Sequence, residues 1–164
     1  MTRLNELLGT EFPIVQGGMA NIATAEFAAA VSNAGALGLI GGGGMDAAGF
    51  RESIRRCRTL TDRPFGVNIM LMHPQAEEMA DIAAEERVAV ITTGAGNPAR
   101  FIPRWKESGA KVFPVVAAVA LARLVERAGA DGVIVQDIGL ARCLTEWGRQ
   151  VPGMKLELHA STQM

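Results

Sequence analysis

The chain has 164 residues, 49% of them apolar and 20% charged, with a formal net charge of −1 and no tyrosine. That balance excludes disorder, and the interspersed charges leave no electrostatic footprint for nucleic acid or for an anionic membrane. The length suits a single domain over residues 1–164 but is short for a complete eightfold barrel, which takes about 250 residues.

Residues 1–11 are polar and charged, without the apolar core that precedes a cleavage site in a secretory leader. The first strand-like run follows at 13–15, and others stand at 37–40, 65–70, 88–91, 112–116, 132–135 and 155–158. The longest apolar stretch, 112–121, contains Pro114 and is well short of the roughly 20 residues that cross a bilayer, so no membrane span is expected. Between the strands lie helical patterns. Thr24 caps one that runs through Asn33, and Asp46 precedes another that ends in the basic stretch 51–58, where positive charge complements the helix dipole. A third covers 74–86. Asn97-Pro98 reads as a cap with proline at the first helical position, opening a fourth. Residues 119–128 and 139–149 supply two more.

Strict alternation of this kind predicts a parallel α/β sheet with right-handed crossovers. The unit recurs every roughly 23 residues, close to the minimum for a strand–helix step, which points to a TIM-barrel-type (β/α) barrel. About seven units are present, so the barrel is expected to be incomplete, with an open edge through which copies of the chain could associate. Cys57 and Cys143 are far apart and outside metal-ligand spacing. Two reduced thiols, no metal site and a cytoplasmic location are the expectation.

Small or polar clusters directly follow the strands: Gln16-Gly17-Gly18-Met19-Ala20, Gly41-Gly42-Gly43-Gly44, Gly66-Val67-Asn68 and Thr92-Thr93-Gly94-Ala95-Gly96. In a parallel barrel all carboxyl ends of strands share one face, so these clusters converge. Glycines there let a flat or phosphorylated ligand approach the backbone, although tight turns and flexible loops also use them. Gly41 to Gly44 lacks the lysine of a nucleotide-binding P-loop and the acidic partner of a dinucleotide fold. Asn68 interrupts an apolar strand, and its carboxamide offers both donors and acceptors to the edge of a heterocycle or to a structural partner. His73 and His159 are read as a general acid or, more plainly, as solvated loop imidazoles. Gln136 and Asp137 either bind ligand or cap the next helix, and Met70, Met72 and Met79 are read as core filler.

Taken in order, 13–20, 38–43, 64–71 and 92–98 closely resemble the FMN-dependent enoyl-acyl-carrier-protein reductase and nitronate monooxygenase family, with similarity continuing through Val115 and Gly129-Ala130-Asp131. The resemblance implies a TIM barrel with FMN at the carboxyl ends of its strands. Members reduce an enoyl thioester with NAD(P)H or oxidise alkyl nitronates with oxygen. It assigns flavin contacts to Gly18, Met19, Ala20 and Asn68, and Gln136 matches a cofactor-contacting glutamine of the monooxygenase branch. With the loops included, the candidate cofactor-binding residues are Gly18, Met19, Ala20, Gly42, Asn68, Thr93, Gly94 and Gln136.

The pattern then departs. Where the family continues after the sixth strand with Glu-Ala-Gly-Gly-His, whose histidine is catalytic, this chain has Asp137-Ile138-Gly139-Leu140-Ala141, so no catalytic residue is carried over. The family's phosphate-binding glycines, in its last two units, have no counterpart here. From Gly129 onward, Ala130-Asp131-Gly132-Val133-Ile134-Val135-Gln136-Asp137-Ile138-Gly139 and His159-Ala160-Ser161-Thr162-Gln163-Met164 resemble the collagenase-like peptidases, which suggests a mosaic, fusion or truncated chain with a junction near 129–139. The leading expectation is an FMN-dependent oxidoreductase, impaired in this short form, acting on a small molecule or acyl thioester. The alternatives are a non-catalytic barrel fragment or fusion scaffold, and a collagenase-like peptidase fragment.

Overall fold

Short apolar runs that alternate with amphipathic segments stack side by side as strand–helix units of one parallel sheet. The computed structural model describes residues 4–150 and 157–161. In chain order they form α1 (Leu4–Leu8), α2 (Ala25–Asn33), β1 (Gly38–Gly41), a 3-10 turn at Gly42–Gly44, α3 (Ala47–Leu60), β2 (Phe65–Met70) and α4 (Ala76–Glu85). There follow β3 (Val90–Gly94), α5 (Ile102–Glu107), β4 (Lys111–Pro114), α6 (Val119–Arg127), β5 (Gly132–Val135), α7 (Ile138–Gln150) and β6 (Glu157–Ala160).

Strands β1 to β4 pair in sequence order, all parallel, and β5 pairs with β6 in the same sense. A parallel bridge from Val115 to Ile134 joins the two ladders, and a second, from Val15 to Leu37, adds a further strand position before β1. The result is a TIM-barrel-type sheet that closes only part of the way round. Asp131 reinforces the join between β4 and β5: its Oδ2 accepts from the Val112 amide at 2.8 Å and from Lys106 Nζ at 2.6 Å.

Period-2 alternation sends the strand side chains to two cores. On the helix side, Ile40, Val67, Ile69, Ile91 and Val112 pack with Phe50, Ile54, Met79 and Trp105. Trp105 is fully buried and donates its Nε1–H to the Ala80 carbonyl at 2.9 Å, locking α5 against α4. On the inner side, Leu37, Leu39, Val90 and Phe113 meet Leu8 of α1, which plugs the amino-terminal end of the barrel. The small face of α2 brings its backbone onto β1: a Cβ at Gly38 would stand 2.0 Å from the Ala28 carbonyl oxygen. On the outer surface, Arg51, Arg55 and Arg58 of α3 reach Glu86, just beyond α4, at 3.2, 2.9 and 2.7 Å. Burial alone would push the Glu86 carboxyl upward, but hydrogen bonds from Arg55, Arg58 and Arg51 outweigh it and hold the group below its ordinary range.

Several elements depart from the sequence reading. The expected strand at 13–15 contributes one bridge rather than a full strand. Val88 lies in the turn that closes α4, its amide bonding to the Ala83 carbonyl after Arg87 takes a positive φ of 47°, so β3 starts at Val90 and carries Thr92 and Thr93 within the strand. Asn97 does not open a helix. Its Oδ1 accepts from the Ala99 amide, a local turn, and α5 begins at Ile102 with Pro103 in its first turn. Helix α1 was not anticipated, although Leu4, Leu7 and Leu8 have helical spacing. β6 lies two residues later than its expected position, and residues 155 and 156 of that expectation lie outside the described residues. Cys57 and Cys143 are both free, the first buried and the second exposed.

Candidate functional site

Strand register builds the site. Gly41, Asn68, Thr92 and Phe113 are partners across four neighbouring strands, so they form one row near the carboxyl ends. Phe113 belongs to the inner core, and the row therefore faces the barrel interior. Asn68 Nδ2 donates to Thr92 Oγ1 at 2.9 Å, and that hydroxyl lies 3.3 Å from the Val67 carbonyl, to which it donates. One side of the carboxamide is thereby fixed. No donor among the described residues meets Asn68 Oδ1, so an acceptor in a defined orientation is left at the mouth.

The segment after the first bridge crosses this row. A Cβ at Gly18 would stand 2.2 Å from Asn68 Cβ and 2.8 Å from its Cγ, so the main chain lies directly on the asparagine side chain. Farther along, Met19 sets its carbonyl against Gly41, where a Cβ would be 2.7 Å from that oxygen, and the Gly41 amide donates to the Ala23 carbonyl at 2.9 Å. Ala20 and Asn21 pack over Gly43 and Gly44. The glycine run at 41–44 is thus small because another loop lies on it.

Each candidate residue has a definite place. Gly18, Met19, Ala20 and Asn68 gather at the mouth, with the Met19 side chain exposed. Gly94 is on the same side of β3 as Thr92, and a Cβ there or at Gly17 meets nothing within 4 Å, so both border open space. Gly42 is buried between the Asn68 carbonyl and the Phe50 ring, with would-be contacts of 3.0 and 3.2 Å. Thr93 alternates to the helix side with Ile91, where its Oγ1 is buried without a hydrogen-bond partner among the described residues. Gln136 is exposed just beyond β5, while Asp137 caps α7, its Oδ1 accepting from the Leu140 amide at 2.6 Å.

Other expectations need correction. His73 does lie in the loop after β2 but is half-buried rather than fully solvated, its Nδ1 accepting from the Gln75 amide at 3.1 Å. His159 is not a solvated loop residue either. It lies in β6 opposite Ile134, edge-on to Phe113 with ring centroids 5.2 Å apart. Met79 is core filler, but Met70 and Met72 are exposed at the carboxyl end of β2. Sequence reasoning missed Thr92 and Gln16 as individual site residues. Thr92 could have been found as the first polar residue after an apolar run, and Gln16 likewise.

Among the described residues, no group of three or more His, Cys, Asp or Glu could hold a metal, and no helix is long and apolar enough to cross a membrane.

Comparison with known proteins gives a consistent picture. The family model described as nitronate monooxygenase matches residues 1–86. The chain is 38% identical, over 82% of its length and 38% of the relative's, to the (3aS,4S,5R,7aS)-5-hydroxy-7a-methyl-1-oxo-octahydro-1H-indene-4-carboxyl-CoA dehydrogenase of Mycobacterium tuberculosis. It is 32% identical to the nitronate monooxygenase of Paraburkholderia phytofirmans, covering 80% of this chain and 47% of that one. Among solved structures, FabK from Thermotoga maritima superimposes with a TM-score of 0.84 at 39% identity, covering 99% of this chain and 62% of FabK. That likeness runs through the segment from Gly129 onward, so the second resemblance, to collagenase-like peptidases, finds no support. The chain spans between 38% and 62% of the length of these proteins.

Proposed function

Because the chain belongs to the nitronate monooxygenase family, we propose that it forms the flavin-holding part of an FMN-dependent oxidoreductase, with the isoalloxazine ring at the barrel mouth. The observation that carries this reading is the Gly18 main chain laid on an asparagine whose carboxamide is fixed on one side by Thr92. A flavin needs bare backbone beside its plane and mixed donors and acceptors at its polar edge. The residues present fit that need: Gly17 and Gly94 leave open space, and Asn68 offers an oriented Oδ1.

In this reading Gly18, Met19, Ala20, Asn68 and Gly94 hold the ring, and Gln136 reaches it from β5. When bound, the flavin supplies hydride and single-electron chemistry. The chain's own residues bind and orient: Thr92 keeps the Asn68 carboxamide from rotating, and the loop at 18–23 covers the ends of β1 and β2. NAD(P)H is the proposed electron donor for a thioester substrate.

An acyl thioester is the substrate class we favour, because the M. tuberculosis relative named for a carboxyl-CoA is 38% identical and the P. phytofirmans nitronate monooxygenase 32%. The family model over residues 1–86 supports the second reading, an alkyl nitronate. The experiment is to add FMN, remove the excess by gel filtration and record the absorbance spectrum. A retained flavin band that Asn68→Ala weakens supports the proposal. A folded, colourless protein returns the chain to the scaffold reading. With flavin bound, NAD(P)H consumption driven by an enoyl thioester, against oxygen uptake driven by a nitronate, separates the two substrates.

A further inference from the structure

In a parallel ladder the hydrogen bonds are evenly spaced, so each rung fixes where the next should fall. At the first bridge, the Leu37 amide donates to the Ile14 carbonyl at 2.9 Å and the Gln16 amide donates to the Leu37 carbonyl at 2.9 Å. The next rung would run from the Leu39 amide to the Gln16 carbonyl. Instead, the Leu39 amide donates to the side-chain Oε1 of Gln16, also at 2.9 Å. The same carboxamide turns its Nε2–H onto the Gly17 carbonyl.

We propose that Gln16 is a positioning residue whose carboxamide takes the ladder place of its own carbonyl, ending the strand one rung early and releasing Gly17-Gly18 to cross the mouth onto Asn68. Leu39 is a central residue of β1 and buried. Its amide would lose its acceptor if the main chain left the ladder unaided, and an orphaned buried donor is costly. A glutamine at this position satisfies the donor while the backbone departs. Aspartate or asparagine is one methylene shorter, and an apolar side chain offers no acceptor. The consequence for binding rests on the flavin reading above; the consequence for the loop does not.

The test compares wild type with Gln16→Met, which keeps length but offers only the weak acceptor of a thioether, and Gln16→Glu. Amide exchange is followed at Leu39 and, as a control in the core of β3, at Ile91, together with the chemical shifts of Gly18 and Asn68 and the FMN dissociation constant. In Gln16→Met, Leu39 should exchange about tenfold faster with Ile91 unchanged, the Gly18 and Asn68 signals should move, and FMN should bind about tenfold more weakly. In Gln16→Glu, a protonated carboxyl both accepts from Leu39 and donates to the Gly17 carbonyl as the amide does, whereas an ionised one has no proton to donate. Its FMN affinity relative to wild type should therefore fall as pH rises from about 5 to about 8.

Leu39 exchange unchanged in Gln16→Met overturns the proposal. So does equal acceleration at Leu39 and Ile91, which marks general destabilisation, and so does a flavin affinity equal to wild type. If wild type binds no FMN while Leu39, Gly18 and Asn68 still respond, the positioning role stands and the flavin reading falls.

Discussion

Gly18 and Asn68 share one site: the Cβ that any other residue would bring to position 18 falls 2.2 Å from the Cβ of Asn68. The atoms concerned are close to the asparagine backbone, so neither a rotamer change nor a flexible tip can relieve the clash. Gly18→Ala should lift the loop or displace the carboxamide from Thr92. We expect a loss of about 1–3 kcal/mol in urea unfolding, typical of overpacking, and at least a tenfold weaker retention of FMN. An alanine variant as stable and as tightly flavin-bound as wild type would contradict the packing described.

Thr93 gives a prediction of opposite sign. Its hydroxyl is buried on the helix side of β3 with no partner among the described residues, and such a group costs about 1–3 kcal/mol. Thr93→Val keeps the shape and removes the orphan, so stability should rise by about 1 kcal/mol. Flavin affinity should stay level if only the backbone at 93–94 contacts the ring. A drop would contradict the placement of that hydroxyl on the helix side, away from the mouth.

The Glu86 clamp makes stability depend on acidity. Hydrogen bonds from three arginines hold its folded pKa below the ordinary value of 4.5, so the unfolded chain takes up the proton first as pH falls. The associated stability is present above about 4.5 and is lost as pH drops through the lower, folded value. Urea midpoints from pH 7 down to pH 3 should fall less steeply in Glu86→Gln than in wild type, after that variant has lost about 1–3 kcal/mol at pH 7 from the broken pairs. Parallel curves would remove the clamp from the acid response.

Both ends of the sheet are open among the described residues. The bridging segment at 13–16 has β1 on one side, β6 has β5 on one side, and Phe12, Ile14, Val15 and Leu158 are exposed. Unpaired edges with apolar side chains favour pairing with another chain. Sedimentation should show self-association at micromolar concentration that Ile14→Lys reduces. A single monomeric species in wild type would refute it.

Much of this architecture was legible because the signals were local. Alternation gave the parallel sheet, and Thr24 and Asp46 cap α2 and α3 as their side chains allow. What failed needed distance information. Val88 looks like the start of a strand until the αL residue before it wraps the end of α4. Gly41 to Gly44 look like ligand-facing backbone until the loop at 18–23 is seen lying on them. Asn68 was visible as a polar interruption, but its partner Thr92 became evident only through strand register. Thr93, its neighbour in sequence, points the other way.

The regular strand ladder is interrupted between β4 and β5. Within β1 to β4 every neighbouring pair is held by a continuous ladder, whereas this boundary is crossed by one bridge, at Val115 and Ile134, by the Val116 amide on the Ile134 carbonyl, and by Asp131, which reaches Val112, Lys106 and Lys111. Cooperative units separate where such connections thin out. Strands β5 and β6 with α7 are therefore expected to open before the cradle around Asn68, although Val133, Val135 and Leu144 share its apolar core. A protease acting on the native protein should nick the 115–118 connection first and leave the amino-terminal part intact, carrying Gly18, Asn68 and Gly94 together.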